Sequence, residues 1–159
     1  MFKAERVRDT ITCTKCSKVG CIYSKFSLRS GKNTGLSKLQ VKEALAKLEL
    51  FKNGDYVCGD ECTVEPFKTK RLIRCGQFVE SAYYGYANGS GTLDVICCFC
   101  GSDDNFVPQE EVELKMNLTN MSPLPICQDC YERGITPPTV KAKTNFFKVG
   151  VRKQKKKQQ

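Results

Sequence analysis

The chain of 159 residues contains no histidine and no tryptophan. The first absence removes the commonest general base and every zinc site that relies on an imidazole ligand. The second leaves a modest supply of large core side chains, with aromatics at 9% and hydrophobic residues at 40%. No run approaches the ~20 apolar residues of a membrane-spanning helix. The opening MFKAERVRDT is charged, unlike the apolar heart of a secretory leader. Residues 29–35, RSGKNTG, lack the Gly-x4-Gly-Lys-[Ser/Thr] order of a phosphate loop and read as a plain loop. No membrane association is expected.

What the chain has instead is cysteine, 11 residues of it. A chain of this length suits one domain or two small ones, and small domains usually need a disulfide or metal staple. The odd count argues against complete internal pairing. Tripeptides Asn88-Gly-Ser90, Asn117-Leu-Thr119 and Asn120-Met-Ser122 match glycosylation sequons, but such tripeptides arise often by chance. A reducing setting, nucleus or cytoplasm, is expected, and there spaced cysteines read as metal ligands.

The strongest spacing is Cys97-x2-Cys100-Gly101, followed after 26 residues by Cys127-x2-Cys130. A two-residue gap lets both sulfurs of a tight turn reach one ion at ~2.3 Å, and a second pair completes a tetrahedron. Cys127 and Cys130 open an expected helix, whose N-terminal dipole favours thiolate. A knuckle followed by a ligand pair at a helix start resembles the treble-clef zinc finger over residues 95–135, and the resemblance implies a β-hairpin between the pairs.

A second set is Cys13-x2-Cys16 with Cys58-x3-Cys62, where Tyr56-Val-Cys-Gly-Asp-Glu-Cys62 looks like a step of small treble-clef fingers. Cys21 or Cys75 remains able to replace one of these four. Cys21, Cys75 and Cys98 otherwise read as small buried hydrophobes. The expected cofactor is Zn2+, two ions per chain. A zinc held by four cysteines has no open position and is structural. The ligand-x-Glu element of zinc deaminases is missing, so the expectation is that the protein is not an enzyme.

The fold class expected is small α+β: two zinc-stabilised treble-clef-like modules with short hairpins, one amphipathic helix and a disordered basic tail. The expected divisions are 1–72, 73–140 and 141–159. Ser37 and Gln40 stand at capping-box spacing, Val41, Ala44, Leu45 and Leu48 recur on one face, and Asn53-Gly54 supplies a stop. They predict a helix over 38–52. Residues 1–35 read as polar and turn-rich. Strands are expected at Gln77–Ala87 and Thr92–Cys97 around a turn at 88–91, and at 112–118, where Val112, Leu114, Met116 and Leu118 alternate with polar residues.

The net charge of +9 is unevenly laid out. Residues 1–52 hold 12 Lys/Arg against 4 Asp/Glu, residues 53–140 hold 6 against 13, and residues 141–159 hold 8 against none. Counting two tetrathiolate zinc sites lowers the total to about +5. Lys15, Lys18, Lys25, Arg29 and Lys32, interleaved with Tyr23 and Phe26, suit phosphate contact and base stacking. Arg152, Lys153, Lys155, Lys156 and Lys157 suit a phosphate-binding arm or a nuclear-localisation signal. A nucleic-acid partner is therefore expected. The alternative is a protein-interaction adaptor that presents the acidic 53–140 region.

Overall fold

A computed structural model describes residues 6–29, 34–90, 94–141 and 144–147, with the backbone path alone for 86–90. Lys32 and residues 148–159, with the cations Arg152, Lys153, Lys155, Lys156 and Lys157, lie outside the described residues, whereas Phe146 of the expected disordered tail is buried. The chain divides into two compact units, Met1–Gln77 and Phe78–Gln159. Among the described residues no helix is long and apolar enough to cross a membrane. Within the described residues the elements form two small antiparallel sheets and four helices, a small α+β arrangement.

The first unit opens with a hairpin where a turn-rich stretch was expected. Strands β1 (Arg6–Thr12) and β2 (Val19–Ser24) pair antiparallel, with Ile11 opposite Gly20 and a register shift between Val7 and Asp9. β-Branched residues Val7, Thr10, Ile11 and Thr12 favour the strand. Helix α1 spans Lys38–Lys52, as its local signals predict. Ser37 accepts from Gln40 N while the Gln40 side chain accepts from Ser37 N, and Asn53 closes the last turn by donating to Glu49 O. Ala44 and Leu48 sink into a core with Ile11, Ile22, Leu28, Tyr56, Val64 and Phe67. Lys52 and Arg29 both pair with Asp9, at 3.0 and 3.1 Å, and Arg29 also reaches Glu49 at 3.3 Å. These pairs bind β1 to α1.

The second unit corrects three strand expectations. Residues 81–90 form helix α2 (Ser81–Ser90) rather than part of a strand and turn. Tyr83 and Tyr84 are both buried, and their hydroxyls donate to Asp94 O at 2.7 Å and Ile96 O at 2.8 Å. Adjacent strand residues point to opposite faces, whereas a helix lets such neighbours share an inward side. The expected partner strand has no regular structure over its described part, 94–97.

The alternating run at 112–118 falls largely in helix α3 (Gln109–Met116). Val112 is buried while Leu114 is 80% exposed, so the alternation does not trace a buried face. Glu110 and Glu111 in the first turn and Lys115 in the last complement the helix dipole, and Asn117 ends the helix in the left-handed region. Strand β3 (Ser122–Pro123) pairs with β4 (Thr139–Val140), and helix α4 (Gln128–Glu132) lies between them in sequence.

Candidate metal centres

The structure gathers two sets of four cysteine sulfurs, each set lying within 4.8 Å of one another: Cys13, Cys16, Cys58 and Cys75 in the first unit, Cys97, Cys100, Cys127 and Cys130 in the second. The sulfur pairs Cys13–Cys75, Cys16–Cys58 and Cys100–Cys127 each stand 3.6 Å apart. A disulfide requires about 2.05 Å. A tetrahedron with ~2.3 Å metal–sulfur bonds has edges of about 3.8 Å. The clusters therefore have the dimensions of tetrahedral metal sites.

Each set begins with the same turn. In the first unit it is the loop joining β1 to β2. Cys13 N donates to Lys18 O at 2.9 Å, Ser17 N to Cys13 O at 2.9 Å, and Ser17 has φ 64°. In the second, Cys97 N donates to Ser102 O at 2.7 Å, Gly101 N to Cys97 O at 3.0 Å, and Gly101 has φ 77°. The residue four after the first cysteine must turn left-handed in both, a conformation that glycine adopts freely and serine does not. Backbone N–H groups also point at the leading sulfur: Cys16 N and Cys58 N approach Cys13 Sγ at 3.4 Å, and Phe99 N approaches Cys97 Sγ at 3.5 Å.

The remaining ligands arrive differently. In the second unit Cys127 caps α4, accepting from Cys130 N at 3.5 Å, so one helix start supplies two sulfurs. Gly134 N returns to Tyr131 O and Ile135 N to Cys130 O, ending the helix after its ligands are placed. The segment between the two pairs carries α3, not the β-hairpin expected from the treble-clef resemblance; the isolated Phe106–Cys127 bridge brings the residues just before α3 to the second pair.

In the first unit Cys58 and Cys75 come from separate loops. Thr14 N and Oγ1 both donate to Tyr56 O, at 2.8 and 3.1 Å, which joins the knuckle to the Cys58 loop. Gly59, at φ 93°, sits so close to the second loop that a Cβ there would meet Ile73 O at 2.8 Å and Arg71 O at 3.0 Å. That contact holds the Cys58 and Cys75 loops side by side.

Cys75 thus stands where Cys62 was expected. Cys62 is buried in the core; its N–H bonds Thr69 Oγ1 at 2.9 Å, and its thiol donates to Val64 O at 3.8 Å. Burial raises its pKa, as suits a neutral thiol. Cys21 is buried in β2 opposite Thr10. Cys98 is buried beside the second tetrad; its carbonyl accepts from Val79 N and its N–H donates to Pro125 O, both at 2.7 Å.

The electrostatics of the tetrads suit a cation. The Cys98 thiol donates to the Cys97 sulfur, which, with the backbone N–H groups and against burial, lowers the Cys97 pKa to about 3. Burial opposes ionisation of Cys13, but N–H groups from Cys16, Cys58 and Lys15 outweigh it and lower its pKa to about 6. Cys58 and Cys75 are pushed up by burial and by their sulfur neighbours, as are Cys127 and Cys130. In each cluster one thiol thus ionises readily while two others resist ionisation. A divalent ion among the sulfurs reverses that resistance, since metal ligation deprotonates thiols.

The basic candidates scatter. Lys15 and Lys25 are exposed. Lys18 is 8% exposed and its ammonium donates to Gln77 O, so it is a buried cation beside the first knuckle and not a surface contact. Arg29 is engaged with Asp9 and Glu49. Exposed Lys68 and Lys70 join the surface beside β2, and only the Tyr23–Lys68 bridge reveals it. No family model, curated protein or solved structure matches the chain.

Proposed function

We propose that the chain is a zinc-binding, non-enzymatic protein of a reducing compartment, nuclear or cytoplasmic, that associates with RNA or DNA. Tetrahedral sets of four thiolates suit zinc or iron. Zinc is preferred because its filled d shell makes a closed four-sulfur site a purely structural staple. The knuckle and the helix-borne pair of the second unit support a treble-clef-like reading in which a helix occupies the intervening segment.

The observation that carries the nucleic-acid reading is the uneven charge along the chain, a basic first unit and a basic 141–159 segment around an acidic middle. Met1–Gln77 holds 16 Lys/Arg against 8 Asp/Glu, net +8, while residues 78–140 hold 2 against 9, net −7. Zinc tetrathiolate lowers each value by about 2 and preserves the contrast. A basic zinc-stapled unit attracts phosphate, and the eight cations of residues 141–159 add to it.

The purified protein should be colourless, and its elemental analysis should give about two zinc ions per chain. If the five cations from Arg152 to Lys157 each neutralise a phosphate, deleting residues 148–159 should lower the slope of log K against log salt by about 3.5 on single strands or 4.5 on duplex. Absence of any binding at ~50 mM salt rejects this reading in favour of an adaptor. The acidic 78–140 segment favours that second reading, with a cavity of about 740 Å³ lined by Glu110, Glu113 and Phe147 suited to a cationic side chain.

A further inference from the structure

Two segments distant in sequence meet at the sheet of the first unit. Tyr23 N donates to Lys68 O at 2.7 Å and Lys68 N to Tyr23 O at 2.8 Å, an antiparallel bridge that lays the 66–70 segment beside β2. Residues that exchange both hydrogen bonds project their side chains to the same face, so Lys68 stands beside the Tyr23 side chain. Lys70 places its Nζ 5.6 Å from the centre of the same ring. Lys25 follows two residues after Tyr23 and sets its Nζ 5.8 Å from the Phe26 ring. All three lysines are exposed. The neighbouring strand residue Ile22 points the other way, into the core with Ala44 and Leu48 of α1.

We propose that Lys25, Lys68 and Lys70 form a phosphate-binding face of the first unit, which takes the sugar-phosphate backbone of a nucleic acid strand. The proposal rests on the nucleic-acid reading above and assigns it a surface. Ammonium groups act on phosphate as point charges without a fixed fork, which gives affinity with little sequence preference. The rings beneath Lys25 and Lys70 hold those ammonium groups in place, reducing the entropy lost when phosphate is bound. Several carboxylates of the unit that would repel phosphate are already paired: Asp9 with Arg29 and Lys52, Glu49 with Arg29, and Glu61 with Arg71. The second unit offers an internal contrast. Its Lys115 lies 4.7 Å over the Tyr131 ring in the same manner, but within a segment of net −7.

The test uses the full chain loaded with zinc and mixed-sequence single-stranded and duplex oligonucleotides, titrated at several salt concentrations. The triple variant Lys25→Gln, Lys68→Gln, Lys70→Gln is compared with Lys38→Gln, Lys42→Gln, Lys47→Gln, which removes equal charge from exposed positions of α1. Both should retain the wild-type zinc content, which verifies folding. The first should lower the log–log salt slope by about 2 on single strands or 2.7 on duplex, with an affinity loss of more than about tenfold at ~50 mM salt. The second should lower the slope by less than about 1. Equal losses in the two variants overturn the proposal, because net charge alone would then account for binding. Unchanged binding in the first variant overturns the face and leaves the nucleic-acid reading standing. A wild-type protein that binds neither oligonucleotide overturns both.

Discussion

In the first unit the turn Cys13–Lys18 joins two strands and draws its other ligands, Cys58 and Cys75, from two loops. In the second unit the same turn, Cys97–Ser102, faces a ready-made pair at the start of α4. The knuckle is therefore a portable piece: its hydrogen bonds lie within six residues and do not depend on what precedes or follows. The completing half is not portable. It requires only a helix cap in the second unit, but in the first it requires a bridge at Thr14–Tyr56 and a glycine pressed against a neighbouring loop. The formal charge differs between the units despite the shared staple: the first carries +8, whereas the second carries −7 over 78–140 and +8 over 141–159, net +1.

The sharpest way to break this comparison is to remove a ligand from one unit at a time. Cys75→Ser should reduce zinc from two ions per chain to one and unfold Met1–Gln77, because a structural zinc contributes about 10–16 kcal/mol in small fingers. Cys62→Ser should keep both ions and cost only about 1–3 kcal/mol, through its core packing and hydrogen bonds. Cys100→Ser should do to the second unit what Cys75→Ser does to the first. Zinc analysis with NMR spectra of each variant checks all three, and a loss of zinc from Cys62→Ser would reject Cys75 as the fourth ligand of the first unit.

A smaller effect is expected at the glycines beside the single ligands. Gly59→Ala meets two carbonyl oxygens at 3.0 Å or less in a left-handed conformation, whereas Gly76, at φ 83°, has nothing within 4 Å of a Cβ. Strain of the backbone alone amounts to about 1–3 kcal/mol, so Gly76→Ala should fall in that range. Gly59→Ala should exceed it and weaken zinc retention. Chelator competition and thermal melts distinguish the two.

The smallest effect tests the shared turn. Ser17→Gly should stabilise the first unit and Gly101→Ser destabilise the second, each by about 1 kcal/mol. Opposite signs in denaturant melts sharpen the equivalence of the two turns; equal signs would break it.

Features whose causes are local were legible in the sequence. The capping box of α1, its stop at Asn53, the Cys-x2-Cys knuckles and Cys127 at a helix start are all written within a few residues. Cys75 could be named only as an alternative to one of the first unit's four ligands, because its place depends on contacts between residues 59 and 71–73. The Tyr83-Tyr84 run has strand-forming residues, but two hydroxyls bonding to Asp94 and Ile96 overrule that preference. In α3 the local signs of a helix, two glutamates at its start and an asparagine at its end, were outweighed by a chance alternation of apolar residues. The phosphate-binding candidates Lys68 and Lys70 depend on the bridge to Tyr23, which no spacing announces.

The single attachment of Cys58 and Cys75 also bears on how fast a metal leaves. When Cys130 lets go, its sulfur stays tethered three residues from Cys127 on the same helix start, and rebinding is nearly immediate. When Cys75 lets go, the nearest bound neighbour along the chain is Cys58, with 16 residues between them. Closing so long a loop again carries an entropic cost that a short chelate ring avoids. A competing chelator has that interval in which to occupy the open coordination position. The first unit is therefore expected to be the labile member of the pair, exchanging a bound ion with the surrounding pool sooner than the second.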